Sequence, residues 1–263
     1  MNKKYFYKSL SRLFFTLGAC ICLMLVTTSF SIHKNYPAIQ TGTLRIVFIN
    51  TANGHPITLR DSVYSNYFGE QYRIHKLKYY VSNIILSGKQ IVKNPYNYYL
   101  VNAAADENSF ELSIPAGNYN TLEFLLGVDS SRNCSGAQTG ALDPMNDMFW
   151  TWNSGYVMFK LEGNSPTSTA DLQRIEHHIG GYKGVNNVAT KINFNFSNDK
   201  SLEIKTDKTT EMLIETNMDH YWHGKTDIKI SELPVCTITG EPARKIALNF
   251  QNLFSIKNIR SIP

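Results

Sequence analysis

From residue 43 onward, apolar and polar residues tend to alternate with a period of two, in short runs separated by turn residues. Thr43 to Ile49 (TLRIVFI) is β-branched and alternating, and it stops at Asn53-Gly54. Side chains on a strand point to opposite faces in turn, so this pattern predicts a half-buried strand closed by a tight turn. Tyr72 to Gly88 is a longer run of the same character, and Tyr98 to Val101 is another. Phe110 to Ile114 alternates cleanly, turns at Pro115 to Asn118, and is followed by a second alternating run from Tyr119 to Val128. Phe149 to Trp152 and Tyr156 to Leu161 read as strands about a turn at Asn153-Ser154-Gly155. Thr190 to Phe196, Ser201 to Lys205, Glu211 to Thr216 and Asp227 to Ile230 read as short strands.

Helical patterns are few. Ala243 to Phe254 reads as a short helix. Residues 168–179 fit two templates: Ser168 with Asp171 resembles a capping box, whereas Ile175, His177 and Ile179 alternate with Glu176 and His178. Many short strands with turns between them predict an all-β fold, a single-domain antiparallel β-sandwich over residues 43–263 with long loops and few short helices.

The N-terminus has a different pattern. Residues 1–12 carry Lys3, Lys4, Lys8 and Arg12 without an acid, and Leu13 to Phe30 is an apolar run of 18 residues. With small residues at Ser29 and Ser31, residues 1–31 read as a secretory signal peptide, or as an uncleaved membrane anchor of just sufficient length. Residues 32–42 then form a linker. The expected location is exported, in the periplasm or at the cell surface. The leader also accounts for the basic balance: removing its four charges from the net +5 leaves +1, so no nucleic-acid surface is implied.

Candidate chemistry lies mostly in the histidines. Cys20 and Cys22 belong to the leader, and the remaining pair, Cys134 and Cys236, is a candidate disulfide in an oxidising compartment. No GxSxG, P-loop, HExxH or GxGxxG occurs, which leaves a hydrolase reading with little support. Four of the seven histidines form two close pairs, His177-His178 and His220-x-x-His223. Imidazole suits copper and zinc, although adjacent residues on a strand face opposite ways. Asp143 to Asp147 lacks the spacing of a calcium loop and reads as a turn. Trp150 and Trp152 share one strand face, either as core with Met148 or beside a redox or metal site.

The run from Val128 to Gly163, VDSSRNCSGAQTGALDPMNDMFWTWNSGYVMFKLEG, resembles the MbnP-like proteins. Lys78 to Ile84, Gly117 to Phe124, His178-Ile179-Gly180-Gly181 and Leu248-Asn249-Phe250 are similar to that family too. The resemblance implies an exported, non-catalytic copper-binding protein. It also implies a tryptophan oxidised to kynurenine by a di-haem partner of the cytochrome c peroxidase type. The family's W-x-W element falls on Trp150 and Trp152, and its His-x-Gly-Gly element on His178. His177, His220 and His223 join the candidate copper ligands through their chemistry alone. The family pattern sets a glycine before Met148, and here that position is Asp147. The alternative reading is a metal-free structural or interaction sandwich, with both tryptophans in its core.

Overall fold

Two sheets face one another across a single apolar core, and the loops between their strands are long. The computed structural model describes residues 39–104, 108–136, 138–151, 154–196 and 201–262. The leader, most of the linker and Trp152 lie outside the described residues. The described strands are β1 (Thr41–Ala52), β2 (His55–Pro56), β3 (Tyr64–Ser65), β4 (Gln71–Gly88), β5 (Ile91–Asn102), β6 (Ser109–Pro115), β7 (Gly117–Leu126) and β8 (Phe149–Thr151). They continue as β9 (Gly155–Asn164), β10 (Arg174–Gly180), β11 (Thr190–Asn195), β12 (Leu202–Ile204), β13 (Thr209–Asn217), β14 (Val235–Cys236) and β15 (Phe254–Ile262). Among the described residues, three short α-helices are α1 (Ser130–Asn133), α2 (Asp219–Trp222) and α3 (Glu241–Ala247). Among the described residues, no helix is long and apolar enough to cross a membrane.

The smaller sheet places β15, β13 and β1 side by side, with β6 and β2 also pairing with β1. The larger runs β11-β7-β4-β9-β10-β14, with β12 on β7, β3 and β5 on β4, and β8 on β9. Both sheets are mixed. β1 pairs with β13 in parallel from Thr43 to Thr51, and β10 pairs with β14 in parallel. The expected all-β sandwich is borne out, with those two pairs parallel where antiparallel was expected, because alternation reports which face is buried and carries no strand direction.

β1 shows the physics that holds the sheets together. Leu44, Ile46 and Phe48 are buried while Thr43, Arg45 and Val47 are half-exposed. Phe48 reaches across to Tyr79 of β4 and Phe124 of β7, with ring centroids 5.9 and 6.2 Å away. Burying such a ring contributes about 1.5–3 kcal/mol. The turn after β1 uses left-handed backbone at Asn53 (φ 51°) and Gly54 (φ 76°), the conformation that Asn-Gly hairpins favour.

Two expectations are revised and one open reading is resolved. Asp227 to Ile230 is not a strand; it makes one isolated bridge, from Asp227 to His223. The helix expected over Ala243 to Phe254 ends at Ala247 and is followed by a 3-10 turn at Phe250–Asn252. The chain then forms β15, whose exposed edge position leaves it without a clear apolar face. The ambiguous segment resolves as strand β10 after a turn at Asp171–Gln173.

Candidate functional site

On the large sheet, the face turned away from the core carries a second apolar cluster. It is formed by Tyr80, Val128, Leu142, Met148, Tyr156 and Val157, with Phe149 and Trp150 packed against it. β10 supplies one wall. Ile175, His177 and Ile179 point into the core, so Arg174, Glu176, His178 and Gly180 line the outer face. Gly180 is the seat of Trp150. A Cβ added there would lie 2.7 Å from the indole Cζ3 and 2.8 Å from the Tyr156 carbonyl oxygen. The indole thus rests on the same strand face as His178, two residues along, a rise of about 7 Å. Met148 is fully buried and Trp150 half-buried, on a short strand beside β9.

Strand register sets two charged rows beside that indole. Lys78, Lys160 and His178 stand opposite one another on β4, β9 and β10, as do Lys76, Glu162 and Glu176. Lys76 Nζ lies 2.8 Å from Asp147 Oδ2 and 3.1 Å from Glu162 Oε2. Lys160, only 3% exposed, lies 3.0 Å from Asp147 Oδ2 and also donates to the Asp147 carbonyl. Lys78 donates to the Asn146 carbonyl at 3.0 Å. Three lysines from two strands therefore clamp the loop that leads into β8. His178 Nε2 completes the network at 2.9 Å from Glu162 Oε1.

The electrostatics follow from these contacts. The His178 hydrogen bond, together with Lys76 and Lys160, holds the Glu162 carboxyl down at about 2. Burial works to raise Asp147, yet its bonds to Lys76 and Lys160 outweigh burial and bring it to about 2 as well. Asp147, where the resemblance leads to the expectation of glycine, is left-handed, at φ 60° and ψ 34°. Aspartate tolerates that region better than most residues, and its side chain adds the lysine pairs a glycine lacks. Asp143 caps the preceding 3-10 turn by accepting from Met145 N–H at 2.9 Å, so the Asp143–Asp147 run is a turn, as expected.

His177 occupies a different environment. It is fully buried, with Nδ1 2.8 Å from the Tyr221 hydroxyl and Nε2 2.7 Å from the Leu233 carbonyl. Both ring nitrogens are committed, and burial lowers its pKa to about 4. His220 is exposed on α2; His223 bonds Asp227 at 2.7 Å and stacks on Tyr67 at 3.7 Å. The four candidate ligands are thus not brought together. Among the described residues no three His, Cys, Asp or Glu side chains form a metal-holding group. Nor do the candidate disulfide partners meet: Cys134 is an exposed thiol at the end of α1, and Cys236 a buried thiol in β14. Their spacing could not show this, because pairing depends on which loops the fold brings together.

Lys76, Lys160, Glu162 and Tyr221 belong to these constellations without having been singled out as site residues in the sequence. The period-two pattern of β4 and β9 held a partial signal, since it places Lys76, Lys78, Lys160 and Glu162 on one face.

The comparisons with known proteins bear on this scaffold. A family model described as MbnP matches residues 41–238. The solved structure of MbnP from Methylosinus trichosporium is similar, with a TM-score of 0.54 and 14% identity, over 76% of this chain and 84% of that one. At that identity the likeness is one of fold. No curated protein matches the chain.

Proposed function

Because the chain belongs to the MbnP family, we propose that it is an exported, non-catalytic copper-handling protein whose metal is anchored by His178 beside Trp150. The observation that carries this reading is the seating of Trp150 on Gly180, which puts the two family elements, W-x-W and His-x-Gly-Gly, in contact on one face. Imidazole is a good copper ligand, and an indole lying beside it is placed where metal-centred oxidation would reach it. In this reading a di-haem peroxidase-type partner oxidises Trp150 or its neighbour Trp152.

The residues present fit an anchor and not a closed site. His178 is bonded to Glu162, and Glu162 is held by two ammonium groups that oppose a nearby cation. A complete ligand set needs donors beyond His178, and His177 is barred by its two core hydrogen bonds. Copper binding at this face is accordingly open and modest in affinity.

The test is copper titration of the exported protein with elemental analysis, on the native chain and on His178→Ala. One equivalent of copper lost in the variant is the expected result. No stoichiometric copper, or binding indifferent to His178→Ala, overturns the site. An intact mass without a kynurenine-sized shift counts against the oxidation alone.

The lysine clamp favours a second reading, a metal-free interaction sandwich. Lys76 and Lys160 already neutralise Asp147 and Glu162, so the face is electrostatically complete without a metal. The same titration separates the two.

A further inference from the structure

The His220-Tyr221-Trp222-His223 segment divides in the fold, and its buried half does something the copper reading leaves unused. Tyr221 and Trp222 are both fully buried behind β10, on the core side of the large sheet. The Leu233 carbonyl can only accept a hydrogen bond, so His177 Nε2 carries the proton and Nδ1 presents a lone pair. The Tyr221 hydroxyl is therefore the donor in the 2.8 Å bond to Nδ1. A buried phenol aimed at a neutral base of fixed tautomer is the arrangement in which removing an electron and moving a proton occur together.

An aromatic path leads away from it. Tyr221 and Trp222 have ring centroids 5.1 Å apart, Trp222 and Tyr72 are 5.1 Å apart, and Tyr72 and Tyr64 are 5.8 Å apart. Neighbouring rings at these separations meet edge to face or tilted, close enough for electrons to hop between them. The hydrogen bonding along the path is uneven. Trp222 Nε1 and the Tyr72 hydroxyl are buried facing one another, with no base in hydrogen-bonding reach of either. Tyr64 meets only the Thr58 backbone, whose N–H donates to its hydroxyl at 2.8 Å. Of these four side chains, Tyr221 alone hands its proton to a base.

We propose that Tyr221 is a one-electron redox site, with His177 as its proton acceptor and Trp222, Tyr72 and Tyr64 as the path by which an oxidising equivalent reaches it. The oxidant is a one-electron, metal-centred oxidant outside the chain. It gains one electron, which leaves Tyr221 through the path. The Tyr221 O–H bond breaks, and the proton moves to His177 Nδ1. The products are a neutral tyrosyl radical, an imidazolium still bonded to the Leu233 carbonyl, and the reduced oxidant. Trp222 and Tyr72 pass the hole on because no base stands ready to take their protons. The site is independent of His178, which faces the opposite side of β10.

The full, metal-free chain is oxidised with photogenerated tris(bipyridine)ruthenium(III) and followed by transient absorption and electron paramagnetic resonance. The expected result is a long-lived tyrosyl radical that disappears in Tyr221→Phe and whose yield falls in Trp222→Phe. In His177→Gln, radical formation slows by about a hundredfold, the scale of a lost general base, and loses its solvent deuterium isotope effect. Peptide mapping of the oxidised native chain needs no variant to fold. Products at the buried Tyr221 and Trp222 support the path. Products confined to Tyr67, which is 69% exposed, or a radical unchanged in Tyr221→Phe, overturn it.

Discussion

His177 and Gly180 show how far single residues on β10 depend on what packs against them. His177 is neutral because burial disfavours its charge, and its pKa of about 4 lies below the ordinary 6.5. The unfolded chain therefore binds a proton between those values that the folded chain refuses, and stability rises with pH across that window. We expect a loss of about 3 kcal/mol as pH falls from about 6.5 to 4. Urea titrations across the window test this: His177→Gln should remove the slope, and an unchanged slope would assign it elsewhere. At Gly180 the constraint is space, with Trp150 and the Tyr156 carbonyl too close for a methyl group. Gly180→Ala should dislodge the indole, shift tryptophan emission to the red and cost about 1–3 kcal/mol, as overpacking does. Unaltered emission would show that Trp150 does not sit there.

At the scale of elements, the loop into β8 is held to β4 and β9 by charge more than by its own propensity. Asp147 serves twice, in a left-handed turn and as partner to Lys76 and Lys160. The two roles separate by substitution. Asp147→Gly keeps the turn and loses the pairs, whereas Asp147→Ala loses both and bears a left-handed cost of about 1–2 kcal/mol. The alanine variant should thus unfold at lower denaturant than the glycine variant; the reverse order would mean that the backbone is unstrained. Asp147 and Glu162 are both depressed to about 2 in the folded state. Their contribution is present above the ordinary carboxylate range and is lost as pH falls toward 2, a window below that of His177. In Asp147→Gly the acid limb of the stability profile should shrink, and a full-sized limb would place its origin away from the clamp.

At the scale of the whole molecule, stability rests on the contact of two sheets through rings such as Phe48, which is 1% exposed between β1, β4 and β7. Phe48→Ala should cost about 3–5 kcal/mol, a large share of the 5–15 kcal/mol typical of a domain. If the sandwich is one cooperative unit, circular dichroism and tryptophan fluorescence will report a single coincident transition in the native chain and the variant. Two transitions would show that the outer-face cluster around Trp150 melts apart from the core.

Much of this architecture was legible in the chain, because burial on one face writes a period of two into a strand wherever the other face meets water. That pattern located β1, β4, β7 and β13, and the FWTW and His-x-Gly-Gly elements carried the family resemblance; for residues 168–179 it offered a strand that parts His177 from His178 as one of two templates. It failed where that cause is absent. β15 is an exposed edge strand without a clean apolar face, and the Asp227–Ile230 pattern occurs without a ladder. Strand direction, the lysine clamp and the bond from Tyr221 to His177 join residues far apart in sequence. Local patterning determined which residues are buried; only tertiary structure decided which buried and charged groups meet, since that depends on the register between strands and not on any one of them.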